Sequence, residues 1–147
     1  MRLLRVEPML IDTSTDFGKR VEERLRNDEL LWLTTVAPDG TPQPSLIWFV
    51  WDGETILIYS QPNTPKLRNI AMNPRVSLNF QANPEGEDVV VLTGQAAVDP
   101  TAPPSNQHEE YRRKYAQGTV HIGMTPDTLA AEFAVAIRVT PTKVRGF

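Results

Sequence analysis

Two Asp-Gly pairs, Asp39-Gly40 and Asp52-Gly53, interrupt the segment "LLWLTTVAPDGTPQPSLIWFVWDGETILIYS", and no other feature constrains the fold as strongly. An Asp-Gly pair between strand-like runs signals a tight hairpin, because glycine reaches positive φ without steric cost. The flanking runs, 30–36, 42–51 and 55–59, are rich in β-branched and aromatic residues and predict three consecutive antiparallel strands, a meander. "NPRVSLNFQ" predicts a turn and a fourth strand, "EDVVVLTGQAAV" a fifth with Gly94 as a bulge, and "FAVAIRVTPTKVRGF" a last one. Helices are expected from about Thr15, with Phe17, Val21 and Leu25 four apart on one face, over 64–72, within "TAPPSNQHEEYRRKYAQ" and around 125–132. About six antiparallel strands with flanking helices give an α+β chain whose sheet curls into a small barrel. No repeat or low-complexity linker divides it, so residues 1–147 read as one domain, with 1–13 as an extended N-terminal arm.

Composition closes off several kinds of chemistry. There is no cysteine, which removes disulfides, thiolate catalysis and cysteine zinc sites and fits a cytoplasmic, reducing setting. The longest apolar run, "LIWFVW", has six residues, and "MRLLRVEPML" has no cleavage signature, so neither a membrane span nor a secretory signal is expected. His108 and His121 have no partner at metal-ligand or triad spacing; they read as surface or helix-end histidines, and no metal is expected. Glu22, Glu23, Glu109 and Glu110 lie in charged helical stretches and read as solvated faces. P-loop, Rossmann fingerprint and serine-elbow motifs are all missing. No catalytic side chain can be nominated, so reactivity would have to come from a bound cofactor.

The charge distribution narrows this further. The net charge is −3, arguing against a dedicated nucleic-acid binder, yet no acid occurs between Glu54 and Glu85, and none follows Glu132, where Arg138, Lys143 and Arg145 lie. These two basic zones are candidates for convergence in space. Within the first, Thr64 is an N-cap residue and Pro65 suits the first helical position. Lys66 would therefore stand beside free backbone N–H groups, an arrangement that attracts phosphate. The plainer reading is a solvated lysine, although the positive end of a helix dipole disfavours a cation there.

The run from Leu30 to Phe80 resembles the flavin/deazaflavin split-barrel family, which includes pyridoxamine-phosphate-oxidase-like proteins and the F420-dependent reductases of actinobacteria, and the likeness continues more loosely to "RVTPTKVRGF". The resemblance implies an FMN-binding type of split barrel, a homodimer with cofactor sites at its interface, and a small-molecule substrate. It also implies that Pro44, Ser45, Leu46, Ile47 and Trp48 line the cofactor ring, and that Tyr59, Ser60, Gln61, Thr64, Pro65 and Lys66 lead to the phosphate. Flavin-phosphate oxidases of the pyridoxamine type commonly carry Arg-Lys and Arg-Gln pairs where this chain has Pro65-Lys66 and Asp88-Val89. The pattern Lys66, Leu67, Arg68, Asn69 and the pair Trp48-Phe49 look more like the F420 branch. F420 has an acidic tail, toward which Arg68, Arg75 and the C-terminal cations would turn. The resemblance thus implies an F420-dependent oxidoreductase, with FMN as the alternative cofactor. A non-catalytic module that stores or senses a cofactor, or binds another anionic ligand such as haem or nucleic acid, is the alternative of a different class.

Overall fold

The computed structural model describes residues 10–147, so the arm expected over 1–13 falls mainly outside them. Helix α1 (Asp16–Asn27) is followed by strands β1 (Leu31–Val36), β2 (Pro42–Ile47), β3 (Val50–Trp51) and β4 (Ile56–Ser60), then by helix α2 (Pro65–Met72). Strands β5 (Arg75–Asn79) and β6 (Val90–Val98) come next. A helical insertion follows: a 3-10 turn η1 (Ser105–Gln107), α3 (Glu109–Lys114), α4 (Ala116–His121) and α5 (Pro126–Glu132), before the long strand β7 (Val135–Gly146). The seven strands form one antiparallel sheet in the order β2-β1-β5-β6-β7-β4-β3.

Both Asp-Gly hairpins form. Gly40 and Gly53 sit at φ +89° and +97°, joining β1 to β2 and β3 to β4. The meander does not form, because the strand expected over 42–51 breaks at Trp48-Phe49 and its halves lie at opposite edges of the sheet. Three Cα steps from Ile47 to Val50 span at most about 11 Å. The two edges must therefore meet, and the sheet closes into a split barrel whose seam is crossed by the covalent chain. The added strand is the product of this break.

Side-chain alternation explains the break. Ile47, Phe49 and Trp51 enter the barrel core, while Trp48 and Val50 pack into a second, aromatic core on the outside. β4 behaves alike: Ile56 and Ile58 face the barrel, and Leu57 and Tyr59 face the second core, leaving every residue of the strand buried. A run buried on both faces shows no polar alternation, so its period is hidden in the sequence. The helical insertion covers the second face, with Tyr111, Tyr115 and Leu129 meeting Val50, Leu57 and Ala136.

Elsewhere the expected devices hold. Thr15 caps α1 through its side chain on the Gly18 N–H at 2.9 Å, and Val21 and Leu25 are fully buried in the barrel core. Burying each stabilises by about 1.5–3 kcal/mol. Gly94 marks a register shift between β6 and β7, where a Cβ would lie 2.2 Å from the Thr140 carbonyl oxygen, so only glycine lets the strands approach. Among the described residues, no helix is long and apolar enough to cross a membrane.

Candidate functional site

A cavity of about 280 Å³ opens where the barrel seam, the start of α2 and the helical insertion meet, lined by Leu46, Ile47, Trp48, Tyr59 and Lys66 from the barrel side. The insertion supplies Tyr111, Ile122, Leu129 and Phe133. Five of the twelve residues expected to hold a cofactor thus converge on one space. Pro44 and Ser45 lie farther along the edge strand β2, opposite Thr34 and Leu33.

The loop into α2 is built to leave its N-terminus open. Thr64 occupies the N-cap position but makes no side-chain capping bond; its Oγ1 instead shares a 3.1 Å hydrogen bond with the buried Ser60 Oγ. Ser60 in turn donates to the Gln61 carbonyl at 2.8 Å. Pro65 has no N–H, and the first intrahelical bond is from Arg68 N to Thr64 O, so the N–H groups of Lys66 and Leu67 have no partner within the helix. Lys66 is half-buried beside them and makes no ion pair among the described residues. Burial alone pushes its pKa below the usual lysine value. Free helix N–H groups and a desolvated ammonium are the groups from which an anion site can be built.

The other ionisable groups on the cavity are phenols that stay protonated. Tyr59 donates to the Pro103 carbonyl at 2.6 Å, and burial raises its pKa to about 12; burial raises Tyr111 as well. Gln61 Nε2 reaches Glu132 at 2.9 Å, tying the loop to the end of α5. Arg68 donates to the carbonyl of Asn63, itself at φ +61°, at 2.7 Å, and so folds back on its own loop.

The C-terminal cations do not join Lys66. Arg138 is held by Asp99 at 2.7 Å and Asp52 at 3.4 Å. The Thr101 hydroxyl first, and then Arg138, hold the Asp99 carboxyl down at about 2. Lys143 lies seven residues along β7 from Ala136, the partner of Tyr59, or roughly 23 Å of strand. Asp88 pairs with Arg20 at 2.8 Å and Arg24 at 3.2 Å, fastening the entry to β6 onto α1. His108 caps α3 by accepting from the Tyr111 N–H, the helix-end role expected of it.

Asn69, the last residue of the Lys66, Leu67, Arg68, Asn69 pattern, is buried and structural. Its Nδ2 donates to Thr35 Oγ1 at 3.0 Å and Gln43 Oε1 at 2.8 Å, locking α2 onto β1 and β2 and fixing Lys66 against the seam. Asn69→Leu should cost about 1–3 kcal/mol, because the buried Thr35 hydroxyl loses its partner. Urea unfolding checks this, with an unchanged midpoint as the contrary result.

The residues that hold the seam were not expected. Tyr115 stacks on Trp48, with centroids 4.5 Å apart and planes 7° apart. Its hydroxyl oxygen accepts the Phe49 N–H at 2.8 Å and lies 2.8 Å from the Glu29 carbonyl. Lys114 Nζ donates to the Phe49 carbonyl at 3.0 Å and sits 3.8 Å over the Phe49 ring. Gly118 backs Trp48 so closely that a Cβ would lie 3.1 Å from its ring. The signal available was Tyr111 and Tyr115, four apart in "EEYRRKYAQ", an aromatic stripe on a charged helix.

Burial lowers the Lys114 pKa to about 8, only partly opposed by Glu110, Asp28 and Glu29. Between about pH 8 and 10.5 the unfolded chain keeps a proton here that the folded chain has lost, so this group makes stability rise with pH. Lys114→Met should abolish that rise, on the order of 1–3 kcal/mol across the window. Parallel pH profiles for wild type and variant would contradict it.

Residues 17–146 match the pyridoxamine 5'-phosphate oxidase family. The chain belongs to that family. Among solved structures it resembles an F420 reductase at 28% identity and a TM-score of 0.65, over 84% of this chain and 94% of that one. A putative pyridoxamine 5'-phosphate oxidase from Listeria innocua matches at 20% identity and 0.64, over 86% and 94% of the two chains. HutZ, the heme storage protein of Vibrio cholerae, matches at 19% and 0.62, over 90% and 95%. The last two likenesses speak to the fold alone. Among curated proteins nothing matches.

Proposed function

We propose that this chain binds F420 and transfers a hydride between the deazaflavin and a small organic substrate. The observation that carries the reading is Lys66, a half-buried cation with no ion pair among the described residues, beside the uncapped start of α2 and on the rim of an aromatic cavity. Bound F420 would supply the hydride chemistry, its phosphate meeting Lys66 and the α2 N–H groups. Leu46, Ile47 and Trp48 would border the ring; Pro44 and Ser45 extend that strand, and Tyr59, Ser60, Gln61, Thr64 and Pro65 shape the phosphate loop. The protonated phenols of Tyr59 and Tyr111 and the apolar walls keep water and stray bases from the reacting face. Release of Arg68 from the Asn63 carbonyl would free it for the acidic tail.

Asp88 favours F420 over FMN: a carboxylate tied to Arg20 and Arg24 stands where the oxidase pattern has an Arg-Gln pair. The F420 reductase likeness supports the same choice. A haem-storage role is less well supported, since neither histidine lines the cavity. The reading includes a cytoplasmic homodimer. A cavity of about 280 Å³ is small for a tricyclic cofactor, below the roughly 300–1,000 Å³ usual for ligand pockets. A second copy over the exposed Leu46 edge would complete the wall.

Side-by-side titrations of the full chain with F420 and FMN test the reading, and F420 should bind more tightly. Submicromolar FMN binding with no F420 response would overturn it. Oxidation of reduced F420 by a panel of unsaturated and carbonyl acceptors then separates an enzyme from a binder.

A further inference from the structure

A larger cavity, about 500 Å³, lies between η1, α3, α4 and α5. Tyr111 and Leu129 line both it and the Lys66 cavity, so these two side chains are the partition between them. Three features mark the larger space as a chamber for a ligand. Val120 lines it from α4 and is 74% exposed, an apolar side chain with little protein against it. Ser105 lines it from η1, is only 2% exposed, and has an Oγ with no hydrogen-bond partner among the described residues. Asn106 lines it too; its Nδ2 donates to Asp127 at 3.1 Å, while its buried Oδ1 accepts from none of the described residues. Such unmet groups are costly inside a protein and are met by a ligand or by ordered water.

Charge adds a direction. Arg112 and Arg113 line the chamber against one carboxylate, Glu109, so its rim is positive on balance. We propose that the chamber binds an amphipathic organic anion, with an apolar ring or branched body against Val120, Tyr111 and Leu129. Its hydroxyl or amide meets Ser105 and Asn106, and its carboxylate-like group meets the two arginines. Taking this anion as the substrate, one partition away from the cofactor cavity, rests on the reading given above. The binding site itself does not.

The test uses the full chain without cofactor and two fluorescent probes, 8-anilinonaphthalene-1-sulfonate and the uncharged N-phenyl-1-naphthylamine. The sulfonate should bind at one site. Val120→Asp and Ala116→Trp alter residues that line the chamber and are exposed, so folding should survive, and each should weaken the sulfonate probe about tenfold or more. Replacing Arg112 and Arg113 together by Gln should weaken the sulfonate about tenfold and the uncharged probe hardly at all. No sulfonate binding by wild type, or unchanged binding in Val120→Asp and Ala116→Trp, overturns the chamber. Equal loss of both probes, or of neither, in the arginine variant overturns the anionic assignment. Failure to bind F420 would instead sink the cofactor reading and leave these titrations readable.

Discussion

Tyr115→Phe should lower the unfolding free energy by about 1–3 kcal/mol, although it deletes a single oxygen. That oxygen sits at the barrel seam, where Phe49 belongs to neither β2 nor β3 and its backbone groups have no ladder partner. The hydroxyl accepts the Phe49 N–H at 2.8 Å; its one proton can go to the Phe49 carbonyl at 2.9 Å or the Glu29 carbonyl at 2.8 Å. Since Lys114 already donates to the Phe49 carbonyl at 3.0 Å, the proton is best used on Glu29, and every group is then satisfied. Phenylalanine keeps the stack on Trp48 and leaves the Phe49 N–H buried without an acceptor. The melting midpoint should fall by roughly 2–4 °C per kcal/mol lost, with the urea m-value unchanged. Tyr115→Ala adds a cavity in the second core, about 3–5 kcal/mol, a large share of the stability of a domain this size. A phenylalanine variant as stable as wild type would show that the seam is held by packing rather than by this hydroxyl.

The legibility of this chain follows the locality of its signals. Asp39-Gly40, Asp52-Gly53, the helix start at Thr15 and the Gly94 bulge each act within a few residues of sequence, and each stands where expected. The split at Trp48-Phe49 was hidden because "LIWFVW" is apolar on both faces, and nothing local tells a continuous strand from one that changes edges. Half of the cavity was hidden for a related reason. Leu46 to Lys66 come from one continuous stretch, whereas Tyr111, Ile122, Leu129 and Phe133 arrive through short helices whose docking depends on contacts distant in sequence. Asn69, which in the sequence shows only as the end of a family-like pattern, spends both N–H bonds joining α2 to two strands, a role that depends on contacts distant in sequence. Arg138, counted as a free cation, is neutralised by acids from two other loops.

Lys66→Ala should weaken F420 by about 1.5–3 kcal/mol, on the order of 10- to 150-fold, the loss of one charge-assisted hydrogen bond to phosphate. Fold stability should not fall with it. The ammonium is half-buried without an ion partner, and its lowered pKa means that folding disfavours its charge, so removing it relieves a cost. A pH series sharpens the test. In the free protein Lys66 loses its proton below the usual lysine range, so affinity should decline as alkaline pH is approached. Phosphate binding favours the charged form, so the complex takes up protons in that range. Both effects should vanish in Lys66→Ala, where affinity is low throughout, and in Lys66→Arg, where affinity is kept because the guanidinium stays charged at every accessible pH. Arg68→Ala should act differently, weakening a long-tailed F420 more than a truncated one, and less so as salt is raised. Equal F420 affinity in wild type and folded Lys66→Ala at low salt would place the phosphate elsewhere, and the uncapped start of α2 would then be a helix end open only to water.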